Sequence, residues 1–201
     1  MSNPDPAQAS RVIVAGFEPF GERTRNRSWE VVRRLPARPG LETLQLPVNF
    51  AELGNAVAAL ADRRPRALLL VGESSTGAVS VEQLALNIVD TDTPDNAGRM
   101  PRAETIVAGG SLALRARWDA RIVARRLAES GIPAAASFHA GTYACNFALY
   151  LALRALPEHT PVGFFHVPHR RRTVGLRTAD LVRAVELGIN ALAASDAVPA
   201  R

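Results

Sequence analysis

The chain has 201 residues, 47% of them hydrophobic, with 14 Gly, 14 Pro and a single Cys. This length supports one domain with a substantial core. The composition excludes a disordered chain, and no apolar run is long enough to span a bilayer. The net charge of +5 rests on 24 basic residues that are all Arg; they are scattered, mostly beside Glu or Asp, and with only 5% aromatic residues for stacking on bases, nucleic-acid binding is not favoured.

In chain order, Val12 to Ala15 is a short apolar strand that ends at Gly16. Ser28 to Leu35 reads as a helix, with Ser28 as its N-cap and Pro36 closing it. Leu41 to Val48 is a strand, and Asn49 caps a helix from Phe50 to Asp62. Ala67 to Val71 is a buried strand ending in Gly72. Val79 to Val89 is read as strand, and Asp92 to Gly98 as a turn. Arg117 to Ser130 is an amphipathic helix stopped by Gly131. Ile132 to Ser137 is a strand, Cys145 to Leu156 a helix, Val162 to Val167 a strand and Thr178 to Ala194 the last helix. Residues 1–10 and 196–201 are expected to be poorly ordered. The alternation predicts one α/β domain over residues 1–201, with a central, largely parallel sheet covered by helices on both faces. Residues 1–10 lack the apolar core of a signal peptide, and one Cys cannot form an internal disulfide, so a cytoplasmic setting is expected.

Sites in such folds gather at the carboxyl ends of strands. Those ends carry Gly16-Phe17-Glu18-Pro19-Phe20, Gly72-Glu73-Ser74-Ser75-Thr76-Gly77, Ser137-Phe138-His139 and His166-Val167-Pro168-His169. None is a Gly-x-Gly-x-x-Gly or Walker loop, which argues against nucleotide binding. Cys145 follows the small-residue turn Ala140-Gly141-Thr142 and falls in the first turn of its helix. The N–H groups there have no intrahelical partner and favour negative charge, so a thiolate is stabilised. His166 closes its strand and can reach the same mouth of the sheet. Together they make a candidate thiolate–imidazolium pair. A third group must orient the ring, and Glu82 and Asp90 are both candidates. The ordinary alternatives are a buried structural Cys, a hydrogen-bonded structural His and surface carboxylates.

Four segments then make the chain recognisable: Val14 to Gly21 with Asn26-Arg27-Ser28-Trp29-Glu30; Val81 to Asn87 with Pro94-Asp95-Asn96-Ala97-Gly98; Ala140 to Asn146; and Gly163 to Pro168. In order and spacing they resemble the pyroglutamyl peptidase I family of cysteine peptidases. The resemblance implies an open sandwich of phosphorylase/hydrolase type. It implies removal of an N-terminal pyroglutamyl residue from peptides through a thioester, with no metal or cofactor. It makes Cys145 the nucleophile, His166 the general base and acid, and Glu82 the orienting carboxylate. Phe17 and Phe20 match aromatics lining the lactam pocket, and Asn26 matches a polar residue of that site; Glu73 is counted with these substrate-binding positions. Family members commonly form dimers or tetramers, so a homo-oligomer is expected.

The chain also departs from the family pattern. Asp92 stands where the family usually has Arg, and Glu73 to Gly77 lacks the usual Gly-Arg pair. His169 and three Arg follow the strand of His166, and one of Arg170 to Arg172 is a candidate to replace the lost charge. Two other readings are carried: a binding or regulatory protein that has lost turnover, and a metal site built from Cys145, His166, His169 and His139.

Overall fold

The computed structural model describes residues 11–169 and 175–195. The elements run β1 (Val12–Phe17), α1 (Arg27–Val32), β2 (Leu41–Leu46), α2 (Phe50–Asp62), β3 (Ala67–Ser74), β4 (Val79–Glu82), β5 (Leu84–Leu86), β6 (Ala113–Arg115), α3 (Ala120–Glu129), β7 (Ala134–Ser137), α4 (Ala144–Ala155), β8 (Val162–Pro168) and α5 (Thr178–Ser195). The expected disorder of residues 1–10 and 196–201, and Arg170 to Arg172, lie outside the described residues.

Six strands form the central sheet in the order β2-β1-β3-β8-β4-β7. Every neighbouring pair is parallel except β4 and β8. β1, β3 and β8 are continuous apolar runs because both of their faces are covered. On one face α1, α3 and α5 pack against Val12, Val14, Leu69, Val71, Val81 and Phe165. On the other, α2 and α4 pack against Ile13, Ala15, Leu68, Leu70 and Phe164. The α/β sheet with helices on both faces is thus the expected one. No helix among the described residues is long and apolar enough to cross a membrane.

Local differences have local causes. α1 starts at Arg27, not Ser28, because Asn26 is the cap: its Oδ1 accepts from the Ser28 N–H at 3.0 Å and from the Ser28 hydroxyl at 2.8 Å. The Ser28 oxygen in turn accepts the Phe17 N–H at 2.9 Å, tying α1 to the end of β1. The segment 79–89 is not one strand. At Gln83 the chain leaves the sheet, its side chain buried and donating to the carbonyls of Ala116 and Trp118 at 3.2 and 3.1 Å. β5 then pairs antiparallel with β6, a strand absent from the sequence reading. α3 begins only at Ala120, where Asp119 accepts the N–H groups of Arg121 and Ile122.

Candidate active site

β4 and β8 pair antiparallel with Ser80 opposite His166 and Glu82 opposite Phe164. Glu82 and His166 are therefore diagonal neighbours on one face of the sheet. It is the face that carries Phe164, on which α4 packs. The Nδ1 of His166 lies 2.8 Å from Oε1 of Glu82, and both side chains are buried. The other oxygen of Glu82 is buried and makes no hydrogen bond among the described residues. Glu82 also receives the Trp118 indole N–H on its backbone carbonyl at 3.0 Å, which pins the end of β4.

α4 brings Cys145 to the same place. Gly72 in β3 is the register partner of His166 in β8. A Cβ built on Gly72 would lie 2.7 Å from the Cys145 sulfur and 3.0 Å from Cδ2 of the His166 ring. The sulfur and the imidazole thus share the space that a side chain at Gly72 would fill. Cys145 is partly exposed rather than sealed in the core. Burial pushes the His166 pKa down, but the charge and hydrogen bond of Cys145, followed by the hydrogen bond and charge of Glu82, outweigh it and raise the value to about 10. With Nδ1 facing Glu82, Nε2 is the nitrogen left for the sulfur.

The start of α4 differs from those of the other capped helices. Asn26, Asn49 and Asp119 cap α1, α2 and α3 with side-chain oxygens, but Tyr143 at the N-cap of α4 offers none. The first-turn N–H groups around Cys145 remain available. Asn146 is wholly buried one residue on. It accepts the Leu86 N–H at 2.7 Å and donates to the carbonyls of Leu86 and Ile88, each at 2.9 Å. Thr142 donates to the Asp90 carbonyl at 2.6 Å, and the Tyr143 hydroxyl donates to the Pro94 carbonyl at 3.0 Å. Burial, then the charges of Asp95 and Cys145, push the Tyr143 hydroxyl up to about 12, so it stays a donor.

A cleft of about 450 Å³ opens beside this constellation, lined by Phe20, Arg23, Glu73, Ser74, Ser75, Thr91, Thr93, Tyr143 and His169. Phe20 meets Tyr143 with ring centroids 5.6 Å apart. Phe17 is placed differently: it is buried and packs on Phe164 at 6.3 Å, away from the cleft lining. The Asn26 side chain is spent on capping α1 and on a 3.0 Å donation to the Glu18 carbonyl. Glu73 lines the cleft with both oxygens engaged, one by Arg23 Nη1 and one by the Arg27 N–H, each at 2.7 Å. Asp90 accepts the Ala103 N–H at 3.3 Å, whereas it is Glu82 that meets the ring. Asp92 points outward and pairs with Arg102. Among the described residues no three His, Cys, Asp or Glu side chains are placed to share a metal ion. The positioning roles of Gly72 and Tyr143 leave no mark in the sequence, whereas the polar Asn146 within the apolar run of α4 is a signal of one.

Comparison with known proteins points to one family. Residues 10–195 match the family model of pyroglutamyl peptidase. The pyrrolidone-carboxylate peptidase of Thermococcus onnurineus is 39% identical over 166 residues, 79% of this chain and 83% of the relative. That of Klebsiella pneumoniae is 39% identical over 165 residues, 78% of this chain and 77% of the relative. Among solved structures, pyrrolidone carboxyl peptidase from Thermus thermophilus aligns with a TM-score of 0.85 at 38% identity, covering 90% of this chain and 100% of that one. Pyroglutamyl peptidase I from Bacillus amyloliquefaciens aligns with a TM-score of 0.84 at 27% identity, covering 94% and 100%. With the model matched from the first strand through the last helix and the same fold at this identity, the chain belongs to the pyroglutamyl peptidase family of cysteine peptidases.

Proposed function

We propose that this protein removes the N-terminal pyroglutamyl residue from peptides by acyl transfer to Cys145. One observation carries the reading: a buried Glu82–His166 hydrogen bond of 2.8 Å with the Cys145 sulfur against the same imidazole. The roles follow from the chemistry of each group. Glu82 holds the ring with Nδ1–H toward itself and favours its protonated form. The imidazolium holds Cys145 as thiolate, the nucleophilic form. The sulfur attacks the pyroglutamyl carbonyl carbon, and the oxyanion forms next to the uncapped N–H groups at the start of α4; losing one such donor typically costs about 2.7–4 kcal/mol. His166 passes its proton to the leaving amine, a thioester remains on Cys145, and His166 then takes a proton from the water that clears it.

The cleft suits a small uncharged ring. Phe20 and Tyr143 offer apolar faces for the lactam methylenes, each worth about 0.8 kcal/mol on burial. Phe17, beneath them, supports Phe164 and through it the sheet surface under His166. A free N-terminal ammonium would lose its hydration there, and the Glu73 carboxylate lining the cleft is already engaged through both oxygens, which disfavours ordinary peptides. The single Cys, which can form no internal disulfide, supports placement in the reducing cytoplasm. The test is release of amine from a pyroglutamyl amide. The wild-type protein should turn it over while Cys145→Ser falls by about 10⁴-fold or more; equal activity in both would overturn the reading.

A further inference from the structure

The cleft holds a charged pair that the chemistry at the sulfur does not use. Arg23, in the loop after β1, places its guanidinium carbon 4.6 Å from the centroid of the Phe20 ring. Its Nη1 donates to Glu73 at 2.7 Å. The Glu73 side chain is only 3% exposed, whereas that of Arg23 is 45% exposed and lines the cleft. The guanidinium is thus held on one edge by a buried carboxylate and on one face by a ring. No other acceptor among the described residues takes its remaining N–H groups. Much of the ordering cost of a long side chain is met before any ligand arrives. A planar donor fork held in this way suits a carboxylate.

The surrounding charges agree. Glu73 already has both oxygens engaged. His169 Nε2 lies 3.9 Å from it, and the ring also lines the cleft. Across the cleft, Thr91 and Thr93 are neutral, and Asp92 between them is turned outward onto Arg102. The lactam ring carries no charge, so a carboxylate facing Arg23 must belong to the part of the peptide that departs.

We propose that Arg23, held by Glu73 and Phe20, reads a carboxylate on the leaving side, so that the substrates favoured are pyroglutamyl peptides with negative charge next to the pyroglutamyl residue. This rests on the function proposed above. The carboxylate is either the C-terminus of a pyroglutamyl dipeptide or an acidic side chain in the following residue. Two matched pairs separate the sources: pyroglutamyl-alanine against its amide, and pyroglutamyl-glutamate α-amide against pyroglutamyl-glutamine amide. At low salt the wild-type protein should favour the charged member of at least one pair by about 10-fold in kcat/KM, as a charge-assisted hydrogen bond implies, and Arg23→Gln should bring that ratio close to one. Within the wild-type protein alone, the ratio should also shrink as salt rises toward about 0.5 M. Wild-type ratios near one in both pairs, a ratio unmoved by salt, or a ratio that survives in Arg23→Gln would overturn the proposal. Cleavage of the neutral members without preference sinks this inference and leaves the peptidase reading intact, whereas failure to cleave any of the four removes both.

Discussion

Cys145 and His166 meet because residue 72 has no side chain. A methyl group there would press on the sulfur at 2.7 Å and on the ring at 3.0 Å. Gly72→Ala should therefore leave the sheet assembled but cut kcat/KM by about 10²-fold, the effect of misplacing reacting groups by roughly an ångström, as steady-state kinetics would register. The imidazole gives a second check. Its pKa is raised to about 10, and the charge of Cys145 leads the raising influences, so the ring and the sulfur respond to pH as a coupled pair. Because the charge of Cys145 is the largest raising influence, Cys145→Ala should lower the His166 midpoint, read by NMR titration of the ring; an unmoved midpoint would contradict the contact. Cys145, His166 and Glu82 were legible as chemical types at strand and helix ends, and Asp90 stayed a rival only because cross-strand register is invisible in a sequence. Gly72 read as a strand terminator, since its partner His166 lies far along the chain.

At the scale of elements, α4 is the part on which the site depends, and a buried amide anchors its start while a half-buried guanidinium anchors its end. Asn146 stitches its start to residues 86–88. At its far end Arg117 donates to the carbonyls of Leu153, Leu156, Pro157 and Thr160. A cation at a helix C-terminus also complements the dipole. Burial lowers the Arg117 pKa, with Glu158 opposing, yet the group remains charged at neutral pH. Arg117→Met leaves four acceptors without their donor and should cost about 2–3 kcal/mol of stability in denaturant unfolding. Helix α2 was fully legible because Asn49 caps an unbroken apolar pattern. The β5–β6 hairpin was not: its strands are three residues each, too short to show a period, and they pair across a long loop.

For the whole molecule, the decisive feature is one antiparallel pairing in an otherwise parallel sheet, with β4 and β7 running against the other four strands. β4 enters between β8 and β7 against the direction of β8, and this alone sets Glu82 diagonal to His166. The layers and most strands are legible in the apolar runs and their caps. The strand order is not, because apolar runs of similar composition do not specify which neighbour each pairs with. In the mechanism proposed above Cys145 supplies the nucleophile and His166 the proton, so turnover should persist in excess chelator and disappear on alkylation of Cys145; loss of activity in chelator would reopen a metal role. The most direct measurement is rapid-quench mass spectrometry during turnover of a pyroglutamyl amide. A pyroglutamyl adduct on the peptide containing Cys145, absent in Cys145→Ser, is the predicted result. Sustained turnover with the adduct on another residue, or with none under conditions that preserve thioesters, would contradict it.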